Sequence, residues 1–287
     1  MKTSTEIASI AKIVGMEKAV EMVAKAGFDH WDFSLFDIAR RDRITDGVFK
    51  TNHPLASSNR LKFARELKKI GLDNGITCNQ SHAPFPVRIQ GIRDSLKYAI
   101  ECTAEVGGKI CIIHPNNDKS AEENAEMYFE LLPFAKEHNV KIATENMWNW
   151  DKEKDEALPA ACSTPKSFID HINAVNDPFF VACLDIGHAE MRGHNTTAVE
   201  MIHALGDSLQ ALHLHDNDKW HDSHKIPFTM DIDFAPIVKA LKDVGYKGVF
   251  TLEADTHIGK RAPEEVFDGV CEMYRATRKL ADMFENL

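Results

Sequence analysis

The sequence predicts an eight-stranded parallel α/β barrel, (β/α)8, formed by residues 1–287 as one domain. Three observations carry this. The length of 287 residues suits one barrel of about 250 residues better than two ordinary domains. Short apolar runs recur, and each stops abruptly at a side chain able to bind metal. They are 76–81 before His82, 110–113 before His114, 141–144 before Glu145, 181–184 before Asp185, 209–212 before His213 and 249–252 before Glu253. A buried parallel strand reads this way, as a near-continuous apolar run without alternation. The spacing is regular: the step from 185 to 213 is 28 residues, and those from 145 to 185 and from 213 to 253 are 40. Each is the length of one strand–helix unit.

Composition narrows the class. Hydrophobic content of 44% with 27% charged residues is that of a water-soluble globular chain. The formal net charge of −10 argues against a broad nucleic-acid or membrane surface, whose usual footprint is basic. Six cysteines show no CxxC pair, and Cys111 and Cys183 lie inside apolar runs, where a thiol acts as a small hydrophobe. The first residues hold no apolar stretch of signal-peptide length. The expectation is a reduced, cytoplasmic protein.

Taken in order, segment 6–14 can supply the first strand. A helix follows with Ala19, Val20, Val23 and Ala24 on one face and Gly27 just past its end. Strand 28–35 leads into a polar stretch, 40–59, long enough to be a lid or substrate wall. Leu61, Ala64, Leu67 and Ile70 mark a helix ended at Gly75, and Pro84 stops the ladder beyond His82. Ile92, Leu96, Ala99, Ile100 and Val106 mark one helix that Gly107-Gly108 terminates. A helix over 121–138 precedes the strand ending in Glu145. Segment 147–162, with Trp148, Trp150 and a charge run, reads as a second mouth loop. Thr164 caps the next helix with Pro165 at its first position, and 195–197 caps another. Phe234, Ile237, Val238, Leu241 and Val244 mark a helix ended at Gly245, and 263–287 holds the last.

In a closed parallel barrel all strand C-termini meet on one face. Glu145, Asp185, His213 and Glu253 would then surround one point. Three carboxylates packed together repel unless a cation lies among them. Oxygen-rich ligation with one imidazole suits one Mn²⁺, Mg²⁺ or Co²⁺, with Zn²⁺ as the alternative. Asp222 and His224 are candidate additional ligands.

The motifs His82-Ala83-Pro84, His114-Pro115, Glu145-Asn146, Leu184-Asp185-x-x-His188, His213-Leu214-His215-Asp216, Asp222-x-His224 and Leu252-Glu253 resemble the xylose-isomerase-like TIM barrel superfamily. That superfamily holds sugar epimerases, hydroxypyruvate isomerase, inosose dehydratase and endonuclease IV, and the resemblance spans nearly the whole chain. It implies, from ketose 3-epimerases, that Glu145, Asp185, His213 and Glu253 bind one divalent ion, that Glu145 and Glu253 are the catalytic acid–base pair, and that His188 contacts substrate. His82 and His114 match residues that sugar-acting relatives use on substrate hydroxyls. Lys219 stands where ketose 3-epimerases carry an arginine, and Phe228-Thr229-Met230 stands where many relatives carry Gly-Glu-Gly. The same resemblance sets a rival: endonuclease IV holds three zinc ions with nine residues. Their counterparts are His82, His114, Glu145, Asp185, His188, His213, Asp222, His224 and Glu253.

The expected function is therefore a divalent-metal-dependent sugar isomerase or epimerase, moving a proton through an enediolate of a ketose or keto-sugar. The alternatives are a trinuclear-zinc, endonuclease IV-like phosphodiesterase, or a keto-sugar or inosose lyase on the same scaffold. Expected substrate-binding residues are His82, His114, His188, Lys219 and Trp148. Loop charges favour a neutral polyol over a polyanion. Arg40, Arg41 and Arg43 alternate with Asp37, Asp42 and Asp46, Lys152 and Lys154 sit among Asp151, Glu153, Asp155 and Glu156, and Lys219 is flanked by Asp216, Asp218 and Asp222. The expected partner is a small sugar, with no nucleic acid and no membrane, and a homo-oligomer is compatible with the sequence. His215 reads as a loop hydrogen-bonder in preference to a group behind the ligands, His221 as equally a solvated or a functional side chain, and Gly259-Lys260-Arg261 as an exposed basic turn.

Overall fold

The computed structural model describes residues 1–39, 44, 45, 48, 49 and 51–287. Its centre is a ring of parallel strands. Six form one continuous sheet in the spatial order β11 (Leu209–His213), β10 (Phe180–Asp185), β7 (Lys141–Glu145), β6 (Ile110–Ile112), β5 (Thr77–His82) and β2 (His30–Ser34). The other two, β1 (Thr3–Thr5) and β12 (Phe250–Leu252), pair with each other in parallel. Parallel bridges join Glu6 to Asp32 and Leu214 to Leu252, which closes the ring at both seams.

Side-chain alternation along these strands divides the interior. Outward residues pack under the helices in one large cluster, whereas Ile112, Ala143, Val181, Cys183 and Ala211 form a separate small cluster inside the ring. The opposite half of the ring is polar inside. Ser4 donates to Asn79 (2.7 Å), Asn79 to Thr251 (3.0 Å) and Gln80 to Asp32 (2.9 Å).

The outer helices begin and end where local chemistry dictates. Helix α6 (Ala121–Glu137) opens with a reciprocal capping box between Ser120 and Glu123. Thr164 caps α7 (Pro165–Val175), with proline at the first position. Thr197 and Glu200 box the start of α9 (Ala198–Leu205). Helix α2 (Met16–Ala26) ends at Gly27 with φ 109°, where a Cβ would meet the Tyr274 ring at 2.9 Å. Among the described residues no helix is long and apolar enough to cross a membrane.

Three expectations are corrected. The first strand is Thr3–Thr5, and most of segment 6–14 is helix α1 (Ala8–Val14). Its apolar residues Ile7, Ile10 and Val14 recur every three to four positions, a helical period. The helix expected from Ile92 to Val106 is two, α4 (Gln90–Arg93) and α5 (Leu96–Val106), broken where Ser95 Oγ donates to the Ile92 carbonyl at 2.6 Å. The expected mouth loop 147–162 is a β-hairpin of β8 (Trp148–Asp151) and β9 (Glu156–Pro159). Asp151 Oδ1 accepts the amides of Glu153 and Lys154, a side-chain turn that reverses the chain. Of the expected 40–59 lid, residues 40–43, 46, 47 and 50 lie outside the described residues. The rest includes a short antiparallel pair, β3 (Ile44–Thr45) with β4 (Val48–Phe49).

Candidate active site

The C-terminal ends of the strands open into a cavity of about 540 Å³ lined by His82, His114, Glu145, Trp148, His188, Asp222, His224 and Glu253. Asp185 and His213 lie in its floor, 0% and 1% exposed. Glu145, Asp185, His213 and Glu253 come from four consecutive strands of the ring, and their ligand atoms lie within 4.8 Å of one another. His213 Nδ1 is 3.0 Å from Glu145 Oε1 and 3.1 Å from Glu253 Oε2.

Asp185 caps the short helix α8 (Ile186–Glu190) by accepting the His188 amide on Oδ1 at 2.7 Å. Its Oδ2 is buried without a hydrogen-bond partner. A buried, unpaired carboxylate oxygen is costly unless a cation or donor satisfies it. Three carboxylates and one imidazole form a hard donor set, so these residues fit a divalent ion. Asn146 locks the scaffold beneath. Its side chain donates to the Asp185 carbonyl (2.9 Å) and accepts the Asp185 amide (2.8 Å), while its own carbonyl accepts from His188 Nδ1 (2.9 Å).

Charge is distributed unevenly here. Burial works against ionising Glu145 and Glu253, but the histidines together outweigh it: His213 with His114 at Glu145, and His213 with His82 and His224 at Glu253. Both carboxyls are held below their ordinary range. Burial likewise opposes charge on His213, and the Glu253 and Glu145 carboxylates reverse it, so the imidazole sits well above its usual value. Burial dominates at His114 and lowers it, despite its bond to Glu145.

A second group adjoins the first: His188, His215, Asp222 and His224. Asp222 lies 3.4 Å from His188 Nε2 and 3.1 Å from His224 Nε2. Burial would lower His188, but Asp185 and Asp222 raise it to about 10. Asp222 is held well below the carboxylate range by His188 and His224 against its burial. His215 stacks on His224 at 4.1 Å, and the seat exists because residue 187 is glycine. A Cβ there would fall 1.9 Å from the His215 ring.

The other expected contacts divide. His82, His114, His188 and Trp148 line the cavity, and His82 Nε2 is 2.7 Å from His114 Nε2. Lys219 does not line it. Its Nζ pairs with Glu190 at 3.2 Å at a surface depression to one side, because a left-handed backbone turn at φ 64° carries it away. Lys154 pairs with Asp151 and Glu156 at the hairpin tip. The expected alternation of Arg40, Arg41 and Arg43 with Asp42 and Asp46 lies outside the described residues. His215 is buried beside Asp185 at 3.1 Å rather than a loop hydrogen-bonder. The expected exposed basic turn is half-tethered, since Arg261 pairs with Glu272. At the Phe228-Thr229-Met230 departure, Phe228 takes φ 71°, and Asp216 accepts the amides of Thr229 (3.0 Å), Met230 (2.8 Å) and Ile232 (3.1 Å).

Sequence reasoning missed Phe36, Phe85, Arg88 and Asn117, which also line the cavity, and Asp32 beneath it. The first four carry no chemical signature in sequence. Asp32 did carry one, as a carboxylate between Trp31 and Phe33 in an apolar strand.

Fold and site together define a parallel barrel that gathers carboxylates and imidazoles at the C-terminal ends of its strands. The chain belongs to the xylose isomerase-like TIM barrel family, whose sequence profile matches residues 20–277. It is 24% identical over 260 residues to an uncharacterized protein of Methanocaldococcus jannaschii, covering 83% of this chain and 78% of that one. Among solved structures, a D-tagatose 3-epimerase-like protein superposes with a TM-score of 0.72 at 20% identity, covering 100% of this chain and 99% of the other. The IOLI protein, solved with a binding zinc atom, superposes at 0.73 with 17% identity and 99% coverage of both. At these identities the likeness establishes a shared fold.

Proposed function

We propose that this protein is a divalent-metal-dependent isomerase or epimerase of a ketose or keto-sugar. The observation that carries this reading is the pair Glu145 and Glu253, which line one cavity and approach His213 Nδ1 at 3.0 and 3.1 Å. The reading is in keeping with the structural neighbours, which include D-psicose and L-ribulose 3-epimerases.

A C–H bond beside a carbonyl is weakly acidic, so its removal must be assisted at both ends. Glu145, Asp185, His213 and Glu253 would hold a divalent ion, which would supply Lewis acidity to the substrate. One glutamate carboxylate takes the proton from carbon, and the electron pair left behind becomes the enediolate double bond. The opposite glutamate delivers a proton to the other face, or to the neighbouring carbon, which separates epimerisation from isomerisation. Both carboxyls are held below their ordinary range, which suits either to accept the proton from carbon, and the glutamate that delivers must first take up a proton from solvent. Positioned acid–base groups of this kind contribute about 10²–10⁴ in rate. His82, His114 and His188 offer donors and acceptors to hydroxyls, and Trp148 offers a flat apolar face. A lyase on a keto-sugar or inosose would begin with the same proton removal.

One observation favours a second reading. His82, His114 and Glu145, and separately His188, Asp222 and His224, also converge closely enough to hold ions, the arrangement a trinuclear-zinc phosphodiesterase needs. Against it, Arg88 is the sole Lys or Arg lining the cavity among the described residues, and Lys154 and Lys219 are spent on acids. A polyanion needs several free cations.

The test is to incubate the protein with Mn²⁺, Mg²⁺ or Co²⁺ in D₂O and a panel of ketoses and keto-sugars, then follow deuterium at the carbon beside the carbonyl by NMR. Uptake from at least one sugar is expected, with no incision of abasic duplex DNA. Incision of that DNA without uptake from any sugar transfers the assignment to the phosphodiesterase.

A further inference from the structure

We propose that Asp32 is the positioning residue of the centre. It holds the far nitrogen of His213, so that Nδ1 is presented to Glu145 and Glu253, and thereby raises the affinity of the four-residue set for its cation. The effect on affinity rests on the metal reading above; the hold on His213 does not.

Asp32 lies on β2, across the ring from β10, and is 1% exposed. His213 has two ring nitrogens with separate surroundings. Nδ1 faces the two glutamates, and Nε2 faces Asp32 Oδ2 at 3.4 Å. Such a carboxylate behind a ligating imidazole fixes which nitrogen carries the proton, sets the ring's orientation and makes the free nitrogen a stronger donor. Asp32 has little else to do. Its Oδ1 is buried with no hydrogen-bond partner, and its Oδ2 accepts one bond, from Gln80 Nε2 at 2.9 Å. Among the described residues, His213 is its sole ion-pairing neighbour. An aspartate in a barrel core costs stability without a cationic or hydrogen-bonding partner, so its presence is explained by the imidazole it faces.

Asp32 is itself held. Gln80 reaches it from β5, and Gln80 Oε1 accepts from Asn79 at 3.2 Å and from Thr251 at 3.3 Å. Asn79 in turn accepts from Ser4 at 2.7 Å. The polar half of the barrel interior is thus one chain of hydrogen bonds running from β1 through β5 and β12 to Asp32. The apolar cluster of Ile112, Ala143, Val181, Cys183 and Ala211 occupies the other half. A polar interior on that side alone is what a buried carboxylate aimed at His213 requires.

The experiment uses the full chain and two readouts. The first is the ¹H–¹⁵N signal of the His213 ring in metal-free protein, wild type against Asp32→Asn and Asp32→Ala. Asp32→Asn keeps the shape and can keep the bond from Gln80, so it is the variant least able to disturb folding. A hydrogen-bonded Nε2–H is expected in the wild type, shifted upfield in Asp32→Asn and lost to exchange in Asp32→Ala. The second is Zn²⁺ affinity by calorimetry, expected to fall about tenfold in Asp32→Asn and up to about 100-fold in Asp32→Ala, with partial recovery in Asp32→Glu. An Nε2–H signal identical in wild type and Asp32→Asn overturns the hold on His213. Equal Zn²⁺ affinity in wild type and Asp32→Asn overturns its effect on the centre. A wild type that binds no Zn²⁺, Mn²⁺ or Mg²⁺ sinks the metal reading instead, and the metal-free ring signal still decides Asp32.

Discussion

Two clusters lie side by side under one cavity and are composed in opposite proportion. One groups Glu145, Asp185 and Glu253 around His213, whereas the other groups His188, His215 and His224 around Asp222. In the first, Glu145 and Glu253 both approach His213 Nδ1 and also meet His114 and His82, while Asp185 Oδ2 is left with no hydrogen bond. In the second, protons do the balancing. Asp222 is pulled well down, while its partners His188, at about 10, and His224 are pulled up despite burial. Neighbouring sites built from the same residue types therefore ask for different things. The carboxylate-rich cluster leaves a buried oxygen for a cation to satisfy, whereas in the imidazole-rich cluster ion pairs with Asp222 hold protons on His188 and His224.

The largest effect should be the loss of a bound ion. Asp185→Asn or His213→Ala is expected to empty the centre, while His224→Ala leaves metal content nearly unchanged, as read by elemental analysis. A stoichiometric ion lost from His224→Ala would show that the imidazole-rich cluster is a metal site too, and the contrast would collapse. Next comes turnover. Glu145→Gln and Glu253→Gln keep the side-chain shape but remove the base, and each should lose at least about 10²-fold on the identified sugar. Near-normal turnover in either variant breaks the acid–base pairing.

A third prediction uses a carboxylate outside both clusters. Glu6 follows β1 as Glu253 follows β12, and both are buried. Glu253 has imidazoles and is pushed down. Glu6 has mainly Ser9, whose amide and hydroxyl donate to it, and burial outweighs them, lifting its pKa from 4.5 to about 7. The folded state therefore holds this proton more tightly than the unfolded state. Stability from this group is intact below pH 4.5 and falls as pH rises through about 7. In thermal melts of metal-free protein, Glu6→Gln should outlast the wild type above pH 7, and the advantage should vanish near pH 4.5. A pH-independent difference would mean that Glu6 is not protonated on folding, and that burial alone does not separate it from Glu253.

The smallest effect concerns the wall. Trp148 sits 6.4 Å from His188 across the cavity, and Trp150 turns away onto His221. Aromatic contact of this kind is worth about 0.5–1.5 kcal/mol, so Trp148→Ala should raise KM severalfold with little change in kcat, whereas Trp150→Ala should leave both in place. Steady-state kinetics on the sugar found by deuterium exchange would separate them.

Much of this was legible in the sequence because it is written in local chemistry. Apolar runs ending in His82, His114, Glu145, Asp185, His213 and Glu253 set the strand ends, and Thr164-Pro165 and Thr197 set helix starts. A parallel barrel then has one place to bring such ends together. The helical period of Ile7, Ile10 and Val14 was also there, but it was overshadowed by the need for a first strand, which the polar Thr3-Ser4-Thr5 supplies from inside the ring. The hairpin at Trp148 was hidden by its charged tip, whose turn depends on Asp151 accepting two backbone amides.

What the tertiary structure alone decided are pairings between residues far apart in the chain. That Asp32 faces His213, that Asn146 clamps Asp185 and His188, that Gly187 makes room for His215, and that Lys219 is diverted to Glu190 all follow from ring closure and side-chain direction. Residue type and local period set which groups arrive at the mouth of the barrel. Only the register of parallel strands and the burial it imposes settle which nitrogen meets which oxygen, and so which charges survive.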